Sequence, residues 1–258
     1  MKISKRKSRT AFREPTRTAR LDRWYRTQLL KISDQVSEIV RAIDDEDPIL
    51  FAGRAQAALN AYSGTLTDWA TQVSKKMVQE AADADYQVWL KVGSAISRET
   101  RKLLRESGAG TVFRSVQAEQ IDLIKSIPTE AAVKVQEWTK DGLSSGERYE
   151  SIAKRIREEL PDITKNRANL IARTETARAR SNFTQARARN VGSPGYIWHT
   201  VGDSRVRPMH AALDGSYQTW DKPPVCDVGR GGQPLRAHPG CIWNCRCWPE
   251  PVWPEELQ

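Results

Sequence analysis

The sequence predicts an α+β protein: a mainly α-helical N-terminal two-thirds followed by a small, loop-rich α+β module. Two observations predict it. Apolar residues recur at spacings of three and four up to about residue 190, with no sustained alternation of period two. Residues 193–258, about a quarter of the chain, hold all four Cys, all three His, five of nine Trp and nine of thirteen Pro. That composition break predicts a boundary near Gly192–Pro194. The expected organisation is a basic arm at 1–31, a helical region at 32–163, and a module at 164–258 made of a long Arg-rich helix and a small α+β domain from about 193.

Ile32, Val36, Ile39 and Ile43 form one helical stripe, which Asp44-Asp45-Glu46-Asp47-Pro48 breaks. Phe51, Ala55, Ala58, Tyr62, Leu66, Trp69, Val73 and Met77 continue the rhythm for about seven turns. Tyr86, Trp89, Leu90 and Ile96 suggest another helix, ending near Gly108–Gly110. Pro128 is expected to open a helix that stops at Asp141-Gly142. Ser144 to Glu147 reads as a capping box for a helix that Pro161 closes, and Thr164 as the cap of the next one, running to about Asn190. Tyr196–Trp198 and Ser216–Trp220 read as short strands, Pro208–Leu213 as a helical turn and Asp214-Gly215 as a tight turn.

The whole chain carries a formal charge of +9, and so do residues 1–31 alone, with eleven basic side chains and two acids. Lys2, Lys5, Arg6, Lys7, Arg9 and Arg13 lead this arm, whose charge suits an ionic contact with double-stranded DNA or an acidic surface. A solvated tail is the alternative. No window approaches 18 uninterrupted apolar residues, so no membrane span is expected, and the basic start lacks the apolar stretch of a secretory signal. Four Cys in 258 residues make no disulfide framework.

On the last helix, Glu175 falls within an apolar stripe of Ala168, Ala172, Ala179, Phe183 and Ala186. The arginines (Arg167, Arg173, Arg178, Arg180, Arg187, Arg189) lie off its centre and could meet phosphates. A carboxylate buried there requires a partner, with Arg178, Arg205 or Arg207 as candidates. The expected role is a structural ion pair that docks the helix.

The motifs of the C-terminal part run in a fixed order: Arg173-Thr174-Glu175, Trp198-x-Thr200, Asp203-x-Arg205-x-Arg207-x-x-His210, Leu213-Asp214-Gly215, Pro239-Gly240 and Asn244-Cys245-Arg246-Cys247. This set, over roughly residues 164–254, resembles the phage Mu F-like minor head proteins, the head morphogenesis proteins of tailed bacteriophages. The resemblance implies a minor capsid protein acting in procapsid assembly near the portal and in DNA packaging or ejection. Its partners would be the portal protein, the scaffold or the major capsid protein. It would reside inside the head of the virion, and in host cytoplasm during assembly.

The same quarter offers a thiolate and imidazole cluster. His210, Cys241, Cys245 and Cys247 are the expected zinc ligands, with His238 or Cys226 as substitutes, because residues two apart in an extended segment face the same way. Buried free thiols and a disulfide are the competing readings. No catalytic spacing is met, so no enzyme is expected. The alternative functions are a zinc-stabilised nucleic-acid-binding protein and, further off, a metal-dependent nuclease.

Overall fold

A computed structural model describes residues 18–92, 102–104, 109–229 and 231–253. Helices α1 (Thr18–Arg41), α2 (Pro48–Thr65), α3 (Thr67–Val92), α4 (Ala109–Ser144) and α5 (Tyr149–Asn190) come first. Then follow β1 (Gly195–His199), α6 (Pro208–Leu213), β2 (Tyr217–Thr219), β3 (Val225–Val228), β4 (Pro234–Arg236) and β5 (Trp248–Pro251). The fold is α+β, with helices first and short antiparallel strands last. The leading basic residues Lys2, Lys5, Arg6, Lys7, Arg9 and Arg13 lie outside the described residues, as does Ile96.

Two compact units emerge: one comprises residues 20–78 and 115–175, the other the remaining described residues. In the first, α1 buries Leu21, Tyr25, Leu29, Ile32, Val36 and Val40, a stripe stepping by four and three. Asp47 caps α2 by accepting the backbone N–H groups of Ile49 and Leu50, and Pro48 occupies the first turn, where a missing N–H costs nothing. The acid run that ends one helix thus starts the next.

Four expected boundary signals fail here. Pro128 opens no helix; it lies buried inside α4. Hydroxyls of Ser63, Ser126 and Thr129 bond carbonyls of Leu123 and Lys125 in the adjoining turn. Pro161 lies inside α5, and Thr164 caps nothing: its hydroxyl donates back to the Leu160 and Pro161 carbonyls and meets Ser33 at 2.6 Å. Ser144 closes α4 by donating to the Lys140 carbonyl, while Glu147 pairs with Arg155. Tertiary packing holds these turns helical where local propensity would break them.

The second unit centres on Trp89, Leu104, Ala188, Val191, Tyr196, Trp198, Trp220, Cys226, Ile242, Cys245 and Cys247. Its sheet has the order β2-β1-β5, all antiparallel, with Tyr196 opposite both Gln218 and Pro251. Gly195 is required at the start of β1, because a Cβ there would meet the Gln218 carbonyl at 2.2 Å. Strands β3 and β4 form a separate hairpin. Val225 faces Arg236 and Asp227 faces Leu235, so Cys226 is the extra residue of a β-bulge.

Candidate metal centre

His210 and Cys247 occupy neighbouring walls of the small module. Pro208 starts α6 at its first turn and sets His210 on the buried side, 2% exposed. Its Nδ1 lies 3.3 Å from Cys247 Sγ and 3.6 Å from Cys245 Sγ. Among the described residues these three form the group whose ligand atoms all lie within 4.8 Å of one another.

The Cys245-x-Cys247 spacing works as expected, and neighbouring residues explain how. Asn244 takes a positive φ of 55°, which turns the chain ahead of the first cysteine. Both sulfurs then face inward, while Arg246 between them reaches back to Asp203 through two hydrogen bonds of 2.6 Å. Asp203 also accepts the backbone N–H and guanidinium of Arg205. The resulting ion network holds the Asp203 carboxyl far below its usual range, chiefly through Arg246. Arg207 donates to the Trp243 carbonyl and pairs with Asp227. Asp214 accepts the Thr200 N–H, and Gly215 turns with φ 71°.

Gly240 has φ 84°, and a Cβ there would meet the Cys247 carbonyl at 3.2 Å and the Ala177 carbonyl of α5 at 3.3 Å. Its N–H donates to Cys245 Sγ at 3.3 Å. That bond, the Cys247 thiol above all, and His210 overcome burial and lower the Cys245 pKa, while Cys247 moves up as its partner. Burial works against a charged His210, yet the sulfurs of Cys226 and Cys245 outweigh it and lift the imidazole to about 9. This is a thiolate-imidazole arrangement on which a thiophilic cation could replace protons.

The other expected ligands are arranged differently. Cys241 is not brought into the group; its half-buried Sγ faces the Pro239 carbonyl at 3.9 Å. His238 spends both nitrogens elsewhere, with Tyr196 Oη at 2.9 Å and Gln185 Nε2 at 3.3 Å. Cys226 is fully buried beside the cluster.

Glu175 is buried as expected and accepts a hydrogen bond of 2.9 Å from Gln120, whose Oε1 takes the Tyr25 hydroxyl. The expected tertiary partners Arg205 and Arg207 bond instead to Asp203, Asp227 and Trp243. Arg187 departs from the expected exposed face. It is 6% exposed, pairs with buried Asp85, and lies over the Tyr86 and Phe183 rings. Burial raises the Asp85 pKa against the pull of Arg187. Nothing in the local pattern singled out Asp85, since an acid at that helix position reads as a solvated one.

Three comparisons place these features. Residues 133–249 match the family model described as "Phage Mu protein F like protein". An uncharacterized protein of Haemophilus influenzae (strain Rd) is 35% identical over 138 residues, covering 54% of this chain but 29% of that protein. The chain therefore spans less than a third of that relative's length. No solved structure matches. No described helix is long and apolar enough to cross a membrane.

Proposed function

We propose, from the match of residues 133–249 to the phage Mu F-like family, that this chain is a minor head protein of a tailed bacteriophage. In this reading it acts in procapsid assembly near the portal, contacts portal, scaffold or major capsid protein, and meets double-stranded DNA through Lys2, Lys5, Arg6, Lys7, Arg9 and Arg13. It works inside the head after assembly in host cytoplasm, and its role is to bind and position rather than to catalyse. Zinc is the ion that the His210, Cys245 and Cys247 cluster holds, as a staple for the module.

The family match carries the reading, because it spans the run from Arg173 to Cys247. The side chains within that run support it. Asp203 and Arg246 brace each other, Asp214 holds a backbone N–H, and Gly240 fills a close approach. These are positions that shape a module rather than groups converging on a substrate.

The test is co-sedimentation of the protein with procapsids that contain no DNA. Recovery in the procapsid fraction is expected. A protein that binds DNA yet never enters that fraction would be the zinc-stabilised nucleic-acid-binding alternative. Metal-dependent plasmid nicking, absent in a Cys245→Ser variant, would establish the nuclease instead.

A further inference from the structure

We infer that Cys226, carried inward by the bulge of β3, completes a four-ligand metal centre with His210, Cys245 and Cys247. The inference rests on reading the cluster as a metal site and adds its closing ligand.

Geometry supports the three-residue core. A tetrahedral zinc with ordinary bond lengths sets nitrogen and sulfur ligands about 3.6 Å apart. The His210 nitrogen stands 3.3 and 3.6 Å from its two sulfurs. Two thiolates and one imidazole suit zinc or cobalt and suit magnesium or calcium poorly. Zinc in a structural role takes a fourth protein ligand, whereas a site with three keeps an open position.

Cys226 is the residue placed to supply it. A regular strand has no spare residue; β3 has one, and it is this cysteine. Bulges re-aim a side chain out of the ladder. Strand β3 packs on α6, the helix that carries His210. The Cys226 side chain is fully buried in the same core as Cys245 and Cys247, and its Sγ makes a long contact of 3.6 Å to the Leu235 carbonyl while also facing His210. It lies outside the 4.8 Å group, so an ion would draw the thiolate inward. Cys241 faces the Pro239 carbonyl, and His238 is held by Tyr196 and Gln185.

Binding one divalent ion would displace the protons held by the three thiols and the imidazole, which pass to solvent, and no oxidant or reductant is needed. The closed centre would tie the β3–β4 hairpin, α6 and the Cys245–Cys247 turn together at one point. It would leave no coordination position for a reactive water.

The experiment uses the full chain, purified with zinc and then exchanged with cobalt. Elemental analysis should find one zinc per chain, and X-ray absorption of the wild-type protein should find three sulfurs and one nitrogen around it. Cys226→Ser should lower the thiolate-to-cobalt absorption by about a third, from three thiolates to two, and Cys241→Ser should leave it unchanged. A wild-type site with two sulfurs, or one that loses a sulfur in Cys241→Ser, would overturn the assignment of Cys226 while keeping the metal. Protein that binds neither zinc nor cobalt would overturn the metal reading itself. The wild-type absorption measurement decides even if Cys226→Ser does not fold.

Discussion

Arg246 grips Asp203 with both terminal nitrogens at 2.6 Å, across 43 residues of chain and from a position between two inward-facing cysteines. A bidentate pair of this kind fixes orientation as well as distance. It sets the outward residue of the Cys245–Cys247 turn and thereby the inward direction of its neighbours.

Asp203 should leave a signature in acid. Its folded carboxyl titrates well below the unfolded value of about 3.9. The stabilisation is therefore present above about pH 4 and is lost as pH falls toward the folded value. Thermal melts from pH 7 to about pH 2 should show a shallower acid loss in Asp203→Asn than in wild type. Parallel curves would mean that the pair contributes no stability.

Gly240→Ala should cost more than Gly215→Ala. Both glycines have positive φ, but an alanine at 240 also meets two backbone carbonyls, whereas nothing lies within 4 Å at 215. A loss of about 1–3 kcal/mol is expected at 240 and about 1–2 kcal/mol at 215, measured by urea unfolding. Equal losses would assign the whole effect to backbone conformation.

Removing one member of the buried Asp85–Arg187 pair should be severe. Asp85→Leu leaves a guanidinium at 6% exposure without its acid, which typically costs about 3–5 kcal/mol. Asp85→Leu with Arg187→Met should recover most of that. A double variant no better than the single one would show that Arg187 acts through its stacking on Tyr86 and Phe183.

Deleting residues 1–17 should flatten the salt dependence of DNA binding. If all six leading basic residues meet phosphates, the log–log slope should fall by up to about five. An unchanged slope would move the contact elsewhere on the chain.

Much of the helical layer was legible because burial repeats along a helix. The Ile32 and Val36 stripe, the Asp47-Pro48 start and the buried position of Glu175 needed only periodicity and capping. Pro128 and Pro161 misled because a packed helix tolerates a missing backbone bond that an isolated one would not. Of the expected set His210, Cys241, Cys245 and Cys247, three come together and were readable from donor type and a two-residue spacing, whereas Cys241 faces the Pro239 carbonyl. The place of Cys226 was not readable, since a bulge is defined by pairing with β4 and leaves no local mark. Asp85 was hidden for a similar reason: its partner lies 102 residues away.

Strand β1 follows α5 directly, yet one of its two neighbours is β5, more than 50 residues later, with Tyr196 opposite Pro251. During synthesis the ribosome must release residues beyond 251 before that side of β1 can pair. Until then β1 offers a bare edge carrying Tyr196 and Trp198, a surface that invites pairing with other chains. The turn bearing Cys245 and Cys247 emerges just before β5. Sheet closure and completion of the thiol cluster therefore become a single late event, and a ribosome stalled before residue 245 would hold an unsealed module.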